Sequence, residues 1–150
     1  MRDQLKDLED LEVSHSSNSR SESESESESG ILNFDVSDKQ GSHWVAWYVD
    51  NNTNNFEKRP EKLYYFDSYG TAVPDELREY LSRKMCKGKC KKTNNNKKKI
   101  LRSDFMIQKL NTDICGELCC TFIYLMDYQP KLSYKEVINK LVESSRISNI

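Results

Sequence analysis

The stretch that decides the fold reads Gln108-Lys-Leu-Asn-Thr-Asp-Ile-Cys115-Gly116-Glu-Leu-Cys119-Cys120-Thr-Phe-Ile-Tyr-Leu-Met126. Asn111, Thr112 and Asp113 predict the start of a helix, because their short side-chain oxygens can accept the free backbone N–H groups of a first turn. The apolar residues from Cys115 onwards recur at helical spacing. We therefore expect a helix that begins at about Cys115 and turns an apolar face towards a core.

Cys115 would lie in the first turn of this helix. The partial positive charge of a helix N-terminus favours a thiolate there, and Gly116 leaves room for another chain to approach the sulfur. These are the features of a nucleophilic cysteine. The alternative is a small buried apolar residue, which describes most free cysteines.

Length and composition limit the class of protein. A chain of 150 residues has room for one domain, and its net charge of −1 says little about partners. No apolar run approaches the ~20 residues of a membrane span, and the N-terminus lacks the apolar segment of a secretory signal. Five cysteines at irregular spacing form a poor disulfide framework. We expect no membrane association and a reducing compartment, nucleus or cytoplasm.

The balanced charge hides two charged segments. Residues 1–30 hold nine acidic against three basic residues and end in a Ser-Glu repeat without apolar side chains. This pattern predicts a disordered acidic arm over residues 1–30 and a folded domain over residues 31–150. Residues 84–99 contain eight lysines and no acid, which predicts an exposed basic loop.

Within the folded part, periodicity and turn residues predict a series of strands and helices. In chain order we expect a weak strand at Ile31, strong strands over Ser42–Asp50 and Leu63–Tyr69, a helix over Pro74–Lys84, strand material at Ile100 and at Phe105–Gln108, the Cys115 helix, and a helix over Leu132–Val142 with Ser133 and Glu136 as its capping box. The two strong strands are expected to be antiparallel neighbours covered on both faces. The fold class is α+β, with a small antiparallel or mixed sheet packed against helices.

A cysteine nucleophile needs a base, and the base needs an acceptor that orients it. His43 opens the first strong strand and Asp67 ends the next one, so the two side chains could meet across the sheet. Gln108 precedes the helix and could donate its amide to an oxyanion, together with the backbone N–H at Cys115. Each residue also has a plain structural interpretation: a polar residue at a strand edge, a turn former and a surface amide.

Together these motifs resemble the adenovirus-type and Ulp1-like cysteine proteases (clan CE). Gly41-Ser-His43-Trp44 is similar to the family's Gly-x-His-Trp strand, and Tyr65-Phe-Asp67-Ser-Tyr-Gly70 resembles its acid-bearing strand end. The spacing from Gln108 to Cys115-Gly116 resembles that of the adenovirus protease and of the proteases of Polinton (Maverick) transposons. SUMO-specific proteases usually place their glutamine one residue closer.

The resemblance implies an adenain/Ulp1-like fold whose N-terminal part is truncated here. It implies that His43 is the general base, Asp67 its orienter, Gln108 an oxyanion donor and Cys115 the nucleophile. The expected activity is cleavage of viral or transposon structural proteins, with virion association as one location. The alternatives are removal of a ubiquitin-like modifier and an inactive domain that binds protein or nucleic acid.

Two further signals concern ligands. Cys86-Lys-Gly-Lys-Cys90 has no second ligand pair at suitable spacing, so no metal is expected. The basic segment has the charge to contact DNA phosphates without sequence preference, although a solvated loop is the simpler interpretation. Its candidate contact residues are Lys87, Lys89, Lys91, Lys92, Lys97, Lys98 and Lys99. We expect no cofactor, with DNA or an activating peptide implied as stimulators by the resemblance alone.

Overall fold

A computed structural model describes residues 27–34, 43–51, 62–84 and 99–147 of the chain. Its elements in order are β1 (Glu28–Asn33), β2 (Trp44–Val49), β3 (Leu63–Asp67), α1 (Asp75–Lys84), β4 (Ile100–Arg102), α2 (Cys115–Tyr128) and α3 (Tyr134–Ile147). This α+β order confirms the predicted fold class. Most of the predicted acidic arm, and all of the basic segment except its two ends, lie outside the described residues. No helix in the described ranges is long and apolar enough to cross a membrane.

The four strands form one mixed sheet in the order β1-β2-β3-β4. β1 pairs with β2 and β2 pairs with β3 in antiparallel fashion, as expected for the two aromatic-rich strands, and β4 runs parallel to β3. β1 begins at Glu28, three residues before the predicted domain start at Ile31. The strand begins earlier because residues 28–30 pair with β2, with Gly30 opposite Trp47. An added Cβ at Gly30 would lie 2.6 Å from the Trp47 indole.

Both faces of the sheet are covered, because alternate residues of β2 and β3 point to opposite sides. On one face Val45 and Tyr65 pack with Leu77 of α1, and on the other Ala46 and Phe66 pack with α2 and α3. The Phe66 ring stacks on Phe122 of α2 with centroids 5.3 Å apart. The sheet is therefore the middle layer of three, and its ends carry the turns that hold the site.

The N-terminal end of α3 matches the sequence pattern closely, whereas its C-terminal end lies at Ile147, five residues beyond the predicted Val142. The Ser133 backbone N–H donates to the Glu136 carboxylate at 2.7 Å, and the Ser133 hydroxyl accepts from the Glu136 N–H at 3.4 Å, which is the predicted capping box. The Tyr134 hydroxyl donates to the Tyr65 carbonyl at 2.9 Å and accepts from the Ser103 N–H at 3.0 Å. This buried hydroxyl joins α3 to β3 and to the chain just after β4.

The prediction of strand structure at Phe105–Gln108 was wrong. The backbone N–H groups of Ile107 and Gln108 both donate to the Ser68 carbonyl, at 2.8 and 3.1 Å, instead of entering a ladder. Phe105 and Met106 are 47% and 51% exposed. The segment is an irregular loop that is bound to the turn after β3.

Candidate active site

His43 and Asp67 are brought together at one end of the sheet. The Nε2 atom of His43 lies 2.7 Å from Oδ1 of Asp67. His43 directly precedes β2, Asp67 is the last residue of β3, and the register pairs Val45 with Asp67. Extending that register by two residues puts His43 opposite Tyr69 and makes Asp67 its diagonal neighbour, a separation that long side chains can span.

Asp67 has no exposed surface and accepts several hydrogen bonds. Oδ1 also accepts from the Tyr69 backbone N–H at 2.8 Å, and Oδ2 accepts from the backbone N–H of Thr71 at 3.2 Å and from the Thr71 hydroxyl. Burial by itself would raise the pKa of Asp67, but the hydrogen bonds from His43, Thr71 and Tyr69 outweigh it and hold that pKa below its ordinary value. The side chain is therefore built to stay a carboxylate.

The His43 imidazole is held by aromatic rings as well as by the carboxylate. Its centroid lies 4.6 Å from that of Tyr69 and 5.7 Å from that of Phe34. The other ring nitrogen, Nδ1, is buried and has no hydrogen-bond partner among the described residues. Because Asp67 holds a proton on Nε2, Nδ1 is the nitrogen with a free lone pair, as a general base requires.

Cys115 is the first residue of α2 and is 7% exposed. The prediction that the polar residues before it cap the helix was wrong. The N-cap is Ile114, which makes no side-chain bond to the helix, and the Thr112 hydroxyl donates instead to the Lys109 carbonyl at 2.8 Å. Asn111 takes a left-handed turn conformation with φ of 62°. The N–H groups of the first turn are therefore not occupied by a side-chain cap, which suits them to bind a negatively charged oxygen.

Trp44 connects the histidine strand to the cysteine helix. Trp44 directly follows His43 in the chain, and a Cβ built on Gly116 would lie 3.8 Å from Cδ1 of the Trp44 indole. The Cys119 thiol donates to the Trp44 carbonyl at 3.4 Å, and burial raises the pKa of this thiol. Cys119 is thus a neutral structural residue that attaches α2 to the start of β2.

Gln108 is 1% exposed, so its interpretation as a surface amide does not hold. Its Oε1 accepts from the Ser68 hydroxyl at 2.8 Å. Its Nε2 donates to the Thr112 carbonyl and, at 3.4 Å, to the Tyr69 hydroxyl. The amide is thus oriented from both ends by the turn after β3 and by the loop before α2.

Sequence reasoning missed several residues that shape this site. Ser68, Tyr69 and Thr71 all lie in the turn after Asp67, where they read as ordinary turn formers. The alternation of β3 continues past Asp67 and would have placed Tyr69 on the same side as the carboxylate. Phe34 follows β1 and has no comparable sequence signal.

Most of the residues considered for metal and DNA binding lie outside the described part of the chain. These residues contain no group of three His, Cys, Asp or Glu side chains that could hold a metal ion. Cys86 and Cys90 lie outside them. So do the predicted DNA-contact lysines except Lys99, which is exposed and directly precedes β4.

Comparison with known proteins gives one match. The model of the Ulp1 protease family, C-terminal catalytic domain, matches residues 31–145, which include the whole of the site described above. No curated protein and no solved structure matches the chain. The match spans most of the chain and agrees with its mixed sheet and three helices. The chain belongs to the Ulp1 protease family, and it is a cysteine protease.

Proposed function

We propose that this domain is a thiol endopeptidase of the adenovirus-protease type that cleaves structural proteins of a virus or transposon. The observation that carries the proposal is the His43–Asp67 bond of 2.7 Å, with Nδ1 of the same imidazole buried and unpartnered among the described residues. The spacing between Gln108 and Cys115 supports the adenovirus-type branch, because it is one residue longer than is usual in SUMO-specific proteases.

In the proposed reaction, the Cys115 sulfur attacks the carbonyl carbon of the peptide bond and its proton passes to Nδ1 of His43. Asp67 holds the opposite nitrogen and stabilises the imidazolium. The carbonyl oxygen takes the displaced electron pair and accepts a hydrogen bond from the Cys115 backbone N–H, and Gln108 belongs to the side-chain part of the same oxyanion site. Collapse breaks the C–N bond, and the amine leaves with the proton from His43. Water then attacks the thioester carbonyl with His43 as base. The C–S bond breaks, the carboxylic acid product leaves, and the proton on His43 returns to the sulfur.

A small residue before the cleaved bond is part of the proposal. Trp44 is 39% exposed, and its indole lies within contact distance of a Cβ placed on Gly116. A substrate side chain that faces the first turn of α2 would meet this ring. Glycine therefore fits the substrate position that faces the sulfur.

A thiol-reactive peptide electrophile ending in glycine tests the nucleophile. Cys120 is exposed and Cys115 is buried, so simple accessibility would favour labelling at Cys120. The matched control is His15→Ala, which changes the second of the two histidines, in the predicted acidic arm. Selective labelling at Cys115 that is lost in His43→Ala and kept in His15→Ala supports the enzyme. Labelling that is strongest at the exposed Cys120 and unchanged in His43→Ala would indicate an inactive domain that binds protein or nucleic acid.

Removal of a ubiquitin-like modifier is a second candidate with the same chemistry, and the match to the Ulp1 family model is what favours it. The two candidates differ in how much of the substrate is recognised. A folded ubiquitin-like protein carrying a C-terminal electrophile would label Cys115 much faster than a short peptide with the same end. Equal rates for the two probes support the endopeptidase.

A contact with DNA through the lysine segment is a further part of the proposal, supported by eight lysines without an acid over residues 84–99. Titration of the protein onto duplex DNA at two salt concentrations tests it. Alanine at Lys97, Lys98 and Lys99 should lower the slope of log affinity against log salt by about 0.9 for each lost contact. A slope that the triple variant leaves unchanged assigns the segment no role in binding.

A further inference from the structure

Tyr69 contacts three of the four predicted catalytic side chains. Its backbone N–H donates to Asp67 at 2.8 Å, its ring lies 4.6 Å from the His43 ring between centroids, and its hydroxyl accepts from Nε2 of Gln108 at 3.4 Å. The residue stands in the turn after β3, between the base and the amide that precedes the nucleophile. Tyr69 is therefore placed to influence the negative charge that develops on the substrate oxygen.

The amide of Gln108 has little freedom to serve an oxyanion by itself. One of its two N–H bonds points to the Thr112 carbonyl and the other to the Tyr69 hydroxyl, while its oxygen is held by Ser68. Rotating the amide would leave a buried oxygen and a buried N–H without partners, which costs roughly 1–3 kcal/mol for each group. The N–H that a substrate oxygen would need is therefore directed at Tyr69.

The hydroxyl of Tyr69 has a hydrogen to give. A phenolic hydroxyl is both an acceptor and a donor, and here the oxygen accepts from Gln108. Within the described ranges of the chain, no acceptor takes the O–H hydrogen. A hydroxyl that already accepts a hydrogen bond is polarised and becomes a stronger donor.

We propose that the Tyr69 hydroxyl is the side-chain donor to the oxyanion, and that Gln108 contributes through it by polarising the hydroxyl from behind. The oxygen that receives the carbonyl electron pair accepts this hydrogen bond, and no proton is transferred. The assignment rests on the proposed peptidase function and deepens it. The Tyr69 hydroxyl then has a catalytic role, whereas the Tyr69 ring and backbone N–H position His43 and Asp67.

Tyr69→Phe separates these roles, because it removes the hydroxyl and keeps both the ring against His43 and the N–H to Asp67. Losing one oxyanion donor lowers kcat by about 10²–10³-fold. The expected result with a fluorogenic peptide ending in Gly-Gly is a fall of that size in kcat with little change in KM. Tyr124→Phe, on the exposed side of α2, is the matched control and should leave kcat unchanged.

Two probes of Cys115 give readouts that a structural role would not reproduce. A glycine aldehyde forms a hemithioacetal whose oxygen occupies the oxyanion position, so Tyr69→Phe should weaken its binding markedly. Iodoacetamide alkylates the sulfur without forming an oxyanion, so its rate and pH profile should not change. Thermal melting of both variants checks that the fold is intact.

The outcomes distinguish this inference from the proposed function. Unchanged kcat and aldehyde affinity in Tyr69→Phe overturn the inference, as does a faster variant, which would mean that the hydroxyl blocks the oxyanion position. Slower alkylation overturns it too, because Tyr69 would then act through His43. If the unsubstituted protein neither cleaves the peptide nor binds the aldehyde, the proposed function fails first and the inference falls with it.

Discussion

Gly70 is the point at which the turn after β3 meets the loop that carries Gln108. Its φ is 71°, in the left-handed region, and a Cβ at this position would lie 2.7 Å from the backbone N, C and O atoms of Phe105. The obstacle is backbone on both sides, so no side chain can swing away to relieve it. Gly70→Ala therefore tests whether the two loops are packed as tightly as the structure indicates.

The cost of this substitution has two parts. A non-glycine residue in the left-handed conformation costs roughly 1–2 kcal/mol. Forcing an extra methyl into filled space typically costs about 1–3 kcal/mol. The free energy of unfolding should therefore fall by about 2–5 kcal/mol, a large part of the roughly 5–15 kcal/mol of a typical domain.

Urea unfolding followed by tryptophan fluorescence measures the change. With a slope of about 2 kcal/mol per M, the midpoint should fall by roughly 1–2.5 M. Gly116→Ala is the matched control, because its Cβ would meet only the Trp44 indole at 3.8 Å. Alanine also suits a helix better than glycine by about 0.5–1 kcal/mol, so the control midpoint should stay or rise.

Equal midpoints for Gly70→Ala and Gly116→Ala would refute this account of the packing. The displaced Phe105 backbone should also shift Gln108, three residues along the chain, and reduce peptide turnover in any Gly70→Ala protein that remains folded. Full turnover in that folded protein would show that Gln108 is positioned independently of the turn.

Three other substitutions have defined outcomes. Asp67→Asn should lower peptide turnover by about 10⁴-fold, because an amide no longer fixes the His43 tautomer. Since folding lowers the pKa of Asp67, the ionised carboxylate contributes its full stabilisation above about pH 4 and loses it in stronger acid. The difference in unfolding free energy between the unsubstituted protein and Asp67→Asn, measured by urea titration, should therefore narrow in stronger acid. A constant difference contradicts the lowered pKa. Tyr134→Phe strands the buried Ser103 N–H and should cost about 1–3 kcal/mol by the same titration. Ser133→Ala removes the α3 cap and should cost about 0.5–2 kcal/mol, whereas an unchanged melting curve would make the capping box irrelevant.

The sequence was most informative where one local pattern determines the structure. Continuous apolar runs within Ser42–Asp50 and Leu63–Tyr69 predicted two antiparallel strands covered on both faces, and the structure has them at Trp44–Val49 and Leu63–Asp67. The Ser133 and Glu136 spacing predicted the cap of α3. The pairing of His43 with Asp67 was also predictable, because the start of the first strand and the end of the second were placed to within two residues.

Two errors fall where a distant contact determines the local structure. Phe105–Gln108 has the composition of a strand, but its N–H groups are taken by the Ser68 carbonyl, some forty residues earlier in the chain. The error before Cys115 has a local cause instead, because the Thr112 hydroxyl bonds to the Lys109 carbonyl in its own turn and so does not cap the helix. Tyr69 escaped notice because its role depends on where Gln108 lies, and no pattern within one segment records that distance.

The bond from the Cys119 thiol to the Trp44 carbonyl has a practical consequence. It links α2 to the start of β2 without using the sulfur of Cys115, the proposed nucleophile. Replacing Cys115 with alanine should therefore leave the cleft assembled while stopping the chemistry. Such a protein, immobilised as bait, would retain uncut targets long enough for their identification by mass spectrometry.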